Sequence, residues 1–118
     1  MKEIIKQRTK SQSVTILKAL ETMGTGLGKS NVSNQLIRSS MSVGANYRAA
    51  CRARSDKEFI SKLSIVLEES DETLYWLEII QEMNWLPSES LTPLITEANE
   101  LTAIFVSSLK TVKERINK

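Results

Sequence analysis

Apolar residues recur through most of the chain at spacings of three and four, the period of a helix that buries one face. No segment alternates with the period of two expected of a half-buried strand. The pattern predicts four helices, at about residues 10–25, 31–54, 56–84 and 89–116. Gly24, Gly26 and Gly28 close the first. Ser55, followed three residues later by Glu58, has the form of a capping box and opens the third. Pro87 and its neighbouring serines separate the third from the fourth. Pro93 falls in the first turn of the fourth helix or just before it, where proline is tolerated. Four helices on short connections predict an all-α fold, an antiparallel up-down four-helix bundle, with residues 1–118 as one domain.

The stripes can be named. The second helix aligns Val32, Leu36, Ser39, Val43, Tyr47 and Ala50. The fourth aligns Leu94, Ala98, Leu101, Phe105, Ser108 and Val112. In the first, Val14, Leu17 and Glu21 fall along one line. The third carries Phe59, Leu63, Val66, Ser70, Thr73, Leu77 and Ile80, widened by Ile60, Leu67 and Leu74.

Two helices have more face than one bundle uses. On the third, Ile65, Trp76, Ile79 and Met83 lie well off the core stripe, with Glu69 and Glu72 among them. A second apolar stripe containing Trp predicts either cover by the fourth helix or N-terminal segment, or a subunit interface; the expectation is a homo-oligomer. On the second, Arg38, Ala45 and Arg52 are spaced by seven, with Arg48 close by and Ser42, Ala49 and Ala53 adjoining. Arg54 and Lys57 extend this basic stripe, and Lys62 follows on the third helix. Guanidinium groups pair with phosphate in a bidentate way, so the stripe is a candidate for docking an RNA or DNA backbone. Its alternatives are a solvated face, or ion pairs with the acidic third helix of a neighbouring subunit. Aromatic residues are too sparse along it for a base-stacking platform.

Charge sharpens this picture and residue content narrows the chemistry. Residues 1–54 hold ten Lys/Arg against Glu3 and Glu21, while residues 55–118 hold six against twelve acidic residues, so a net charge of +2 conceals segregation. Histidine is absent, which removes the commonest general base and metal ligand. Cys51 stands alone, so no internal disulfide or cysteine zinc site is expected. Glu68, Glu69, Asp71 and Glu72 are dense, but a di-metal carboxylate bundle also needs Glu-x-x-His motifs. Asn46, at the edge of the second helix's core stripe, reads as a paired polar group rather than a catalytic one. No apolar run approaches membrane-spanning length, and "MKEIIKQRTK" lacks the apolar core of a signal peptide. The expectation is a cytoplasmic protein that is not an enzyme and carries no cofactor or metal.

One stretch imitates a nucleotide site. "MGTGLGKSN", residues 23–31, ends in Gly-Lys-Ser, as a phosphate-binding loop does. That loop places its first Gly five residues before the second, where this chain has Met23, and it follows a buried strand. The stretch is therefore read as a helix–helix connection in which glycines supply turns.

Residues 35–80, "QLIRSSMSVGANYRAACRARSDKEFISKLSIVLEESDETLYWLEII", resemble the four helix bundle family named for 23S rRNA intervening-sequence proteins. The resemblance rests on Gln35-Leu36-Ile37-Arg38-Ser39, on Ser42, Val43, Ala45 and Asn46, and on Ser55 before Glu58-Phe59-Ile60. It continues through Lys62, Leu63, Ile65 and Leu67, then Glu69, Ser70, Glu72 and Thr73, and closes on Tyr75-Trp76-Leu77-Glu78. It implies an up-down four-helix bundle assembled as a ring-like homopentamer. Some members of that family are encoded inside segments inserted in 23S rRNA genes. A related branch comprises accessory proteins of diversity-generating retroelements, basic pentamers that bind a reverse transcriptase and nucleic acid. Here Ala49 stands where the family often has Glu, Ser40 where it often has Gly, and Glu68 where it often has Lys. The last change makes the third helix more acidic.

Two functional expectations follow. In the first, a non-enzymatic oligomer docks RNA or DNA through Arg38, Arg48, Arg52, Arg54, Lys57 and Lys62, with Ile65, Glu69, Glu72, Trp76, Ile79 and Met83 between subunits. In the second, the oligomer is a scaffold for a protein partner, for example a reverse transcriptase.

Overall fold

The computed structural model describes residues 1–117 as four α-helices: α1 (Lys2–Glu21), α2 (Leu27–Cys51), α3 (Asp56–Met83) and α4 (Ser88–Ile116). The backbone of each helix packs against its two neighbours in cyclic order; α1 and α3, like α2 and α4, are diagonal and meet only through side chains. The result is an up-down bundle about 50 Å long and 21 × 19 Å across. Among the described residues there is no strand, and no helix is long and apolar enough to cross a membrane.

The ends of the helices follow from local chemistry. Ser55 caps α3, its Oγ accepting the Glu58 N–H at 3.1 Å. Asn84 ends α3 in the left-handed region at φ 56°, and the Trp85 N–H turns back to the Ile80 carbonyl at 3.2 Å. α4 starts at Ser88, so Pro93 sits in its second turn rather than its first; the carbonyl it frees belongs to exposed Glu89.

The stripes of α2, α3 and α4 are buried as expected, except that Ile60 and Leu67 are half-buried on α3, and on α4 Ser108 is half-buried and Leu109 takes its place. The first helix departs from expectation. It starts eight residues earlier, at Lys2, and it buries Ile5, Thr9, Gln12, Ile16 and Leu20. Val14 is exposed and Leu17 half-buried. The true stripe of α1 is interrupted by two polar residues, Thr9 and Gln12, which weakens its apolar signal.

Those polar residues are part of a belt. One apolar cluster, around Leu36, Leu77, Ile80, Leu94 and Ile16, fills one half of the bundle. Another, around Val43, Tyr47, Leu63, Val66 and Phe105, fills the other. Between them Thr9, Gln12, Ser39, Ser40, Ser70 and Thr73 are buried. Ser70 bonds Thr102 at 2.7 Å, the Thr73 and Ser39 hydroxyls lie 3.1 Å apart, and Ser13 donates to the Ser40 carbonyl at 3.1 Å. Each bond joins two helices at one height.

The glycine-rich connection has a packing function. Gly24 and Gly26 adopt φ 85° and 154°, which favour glycine. α2 starts at Leu27, four residues earlier than expected, so Gly28 already lies inside it. A Cβ there would stand 3.2 Å from the Trp85 ring. Lys29 folds back, Nζ donating to the Met23 carbonyl at 3.2 Å. The Gly-Lys pair is thus used in closing one end of the bundle.

Candidate nucleic-acid interface

The belt divides the bundle into halves of opposite charge. On one side lie residues 1–12, 40–54, 55–70 and 102–117, brought together by antiparallel packing. They carry Lys2, Lys6, Arg8 and Lys10; Arg48, Arg52 and Arg54; Lys57 and Lys62; and Lys110, Lys113 and Arg115. Against these twelve stand six acids: Glu3, Asp56, Glu58, Glu68, Glu69 and Glu114. The other half holds Lys18, Lys29 and Arg38 against eight acids: Glu21, Asp71, Glu72, Glu78, Glu82, Glu89, Glu97 and Glu100. A molecule 50 Å long with net charges of opposite sign at its ends presents a polyanion with one favourable end.

The α2–α3 turn forms the centre of that end. Arg52 caps α2, and Arg54 and Lys57 flank the Ser55 cap of α3. All three are exposed. Arg54 makes only a loose pair with Glu58, at 3.7 Å, and is almost wholly in solvent. Arg52 and Lys57 have no acidic partner among the described residues. Beside them a cavity of about 510 Å³ opens between the helix ends, with Tyr47, Phe59 and Val112 in its wall and Lys2, Arg54 and Arg115 at its rim. Lys2 Nζ lies 4.9 Å from the centre of the Phe59 ring. Arg115 holds Asp56 bidentately, at 2.9 and 3.2 Å, and that bond keeps the Asp56 carboxyl below its ordinary range.

Not every candidate cation joins this cluster. Arg38 sits on the far side of the belt and clamps α3 of its own chain. One guanidinium nitrogen bonds Glu69 at 2.8 Å and the other bonds Glu72. The Arg38 bond holds the Glu72 carboxyl below its usual range, assisted by the Trp76 indole N–H at 3.2 Å. Arg38, Glu69, Glu72 and Trp76 are therefore one intrachain group. A hairpin folded about residues 53–54 places position 38 opposite position 69, so the pairing was readable from the turn. Arg48 lines a groove between α1 and α2 together with Lys6 and Lys10. Lys62 is half-buried on α3.

The proposed subunit-contact residues share a face but differ in exposure. Ile65 and Met83 are exposed, at 40% and 53%. Trp76 and Ile79 are half-buried against the apolar cluster of their own chain. Tyr75, 53% exposed beside Trp76, belongs to the same outer surface and was missed, as were Lys2, Lys110, Lys113 and Arg115. These last lie at the chain ends, and only the antiparallel fold sets them beside the α2–α3 turn. Asn46 is tied to Ser42, donating to its carbonyl at 3.0 Å and its hydroxyl at 2.9 Å. Among the described residues no group of three or more Asp, Glu, Cys or His is placed to hold a metal.

Comparison with known proteins agrees with the sequence resemblance. No curated protein matches the chain. A solved structure from Bacteroides thetaiotaomicron, described as a protein of unknown function from the S23 ribosomal protein family, is similar at a TM-score of 0.80. It is 29% identical, over 90% of this chain and 98% of that one. The model of the 23S rRNA-intervening sequence protein family matches residues 2–107. The chain belongs to the family of 23S rRNA-intervening sequence proteins.

Proposed function

We propose that the protein is a non-enzymatic homo-oligomer that docks an RNA backbone on its basic end. The observation that carries this reading is the axial separation of charge, with exposed Arg52, Arg54 and Lys57 at its positive pole. Phosphate contacts made by such side chains are salt-sensitive and only weakly selective for sequence. Arg48 borders the surface, Lys62 lies behind it, and Arg38 serves the fold instead. Oligomerisation would multiply the basic ends and raise affinity by avidity.

The test is fluorescence anisotropy of a labelled structured RNA at ~50 and ~200 mM salt, between which a protein making six or more phosphate contacts loses about a thousandfold or more in affinity. The triple variant Arg52→Ala, Arg54→Ala, Lys57→Ala should bind more weakly and with a shallower salt slope, by about 0.9 per contact removed. Binding that does not respond to salt, or a triple variant that binds like the parent, refutes this docking surface. A second reading, a scaffold for a protein such as a reverse transcriptase, draws on the exposed Ile65, Tyr75 and Met83. Absence of RNA binding at both salts, with a protein retained by the immobilised oligomer, would favour it.

A further inference from the structure

The charges are also sorted around the bundle. α1 and α2 together hold Lys2, Lys6, Arg8, Lys10, Lys18, Lys29, Arg38 and Arg48 against Glu3 and Glu21, whereas α3 holds eight acids against Lys57 and Lys62. Between α1 and α2 runs a groove of about 340 Å³. Its floor is low because Gly44 and Ala45 lie there, and its walls are Val14, Leu17 and Met41. Val14 and Met41 are 43% and 42% exposed. Lys10 and Arg48, at its rim, have no acidic partner among the described residues. The outer side of α3 offers the converse: Ile65, Glu68, Glu72, Tyr75 and Ile79 at alternating steps of three and four, the spacing of a helix seam.

We propose that the α1–α2 groove seats this α3 stripe from a second copy of the chain. The inference rests on the oligomeric part of the function proposed above and names the surfaces that meet. Charge complementarity selects the occupant: an apolar groove edged by Lys10 and Arg48 fits an apolar stripe that carries Glu68, which has no cationic partner among the described residues. Height along the axis agrees. The Ser13–Ser40 and Ser39–Thr73 contacts set α1, α2 and α3 in register at the belt. From there Lys10, Ala45 and Arg48 stand about 4.5, 7.5 and 12 Å toward the basic end, and Glu68 and Ile65 about 7.5 and 12 Å the same way, at 1.5 Å per residue. Two copies with parallel axes bring Glu68 between Lys10 and Arg48 without sliding. Ile65 then lies toward the Arg48 end of the groove, and Tyr75 lies toward Leu17. Groove and stripe are different surfaces, so each copy uses both, and the contact repeats around a closed ring or along a filament.

Charge reversal tests the pairing on exposed residues whose replacement leaves the core intact. Sedimentation of nuclease-treated protein is followed over concentration for the parent, Lys10→Glu, Glu68→Lys, an equimolar mixture of the two, and the combined variant. Each single variant should raise the concentration for half-assembly by about tenfold or more. The combined variant, with its charges exchanged, should return to within about threefold of the parent. Ala45→Trp, which fills the groove, should stay monomeric with helical circular dichroism unchanged. A parent that assembles while both single variants and Ala45→Trp assemble equally well overturns this interface but leaves the oligomer. A monomeric parent overturns both, and RNA binding is judged separately by the anisotropy.

Discussion

Gln12 is the least comfortable side chain in the bundle. It is 3% exposed, in the middle of α1, and neither its amide nitrogen nor its amide oxygen has a hydrogen-bond partner in the protein. An amide buried without compensation costs about 1–3 kcal/mol on the scale of protein substitutions. Gln12→Met keeps the unbranched shape and comparable helix propensity while removing both polar atoms. It should stabilise the fold by about 1–3 kcal/mol. Unfolding entropy near 2.1 cal/mol/K per residue, over 118 residues, converts this to about 4 °C in Tm for each kcal/mol, or a rise of about 4–12 °C. The assay is thermal and urea unfolding at one fixed protein concentration, because assembly itself shifts apparent stability. A variant destabilised by 1 kcal/mol or more would refute the reasoning. It would mean that the amide is bonded in the folded protein, with a buried water as the partner.

Further perturbations separate the other contributions. Arg38→Ala opens the clamp between α2 and α3; with the guanidinium half in solvent, the loss should be about 0.5–1 kcal/mol in urea unfolding, shrinking at high salt. Glu72 and Asp56 titrate lower in the folded chain than their ordinary values of 4.5 and 3.8, so the unfolded chain binds their protons first as the pH falls. Their contribution is complete above the ordinary values and is lost as the pH drops through the folded ones; urea midpoints should decline there, and Arg38→Ala should flatten that decline. Ser55→Ala removes the acceptor for the Glu58 N–H and should cost about 1 kcal/mol, read as a lowered Tm.

The sequence discloses α2, α3 and α4 because apolar residues dominate their buried stripes, with Ser39, Ser40, Ser70 and Thr73 as the interruptions, and periodicity sees apolar residues. It conceals α1 for the same reason. Thr9 and Gln12 dilute the stripe that is buried, while Val14 and Leu17 decorate the face that is not. Val14 and Leu17 border the groove: apolar residues on the outer side of a helix are the ones a single bundle leaves over. The candidate site divides in a similar way. Arg52, Arg54 and Lys57 are adjacent in sequence and remain together in the fold. Lys2 and Arg115 join them only because four helices of nearly equal length run antiparallel and return both chain ends to one pole. Arg38 looked like its neighbours by composition and was separated from them by reach, since the clamp on Glu69 and Glu72 spans 31 and 34 residues. A count of basic residues measures how much charge a helix carries. Which of those charges meet a partner depends on what the hairpin folds against them, and the polar belt holds that alignment. An apolar layer at the same height could slide by a turn at little cost, whereas sliding the Ser39–Thr73 and Ser70–Thr102 pairs would bury hydroxyls without their cross-helix partners. The polar residues within the buried stripes thus keep the clamp, the groove and the basic pole in register.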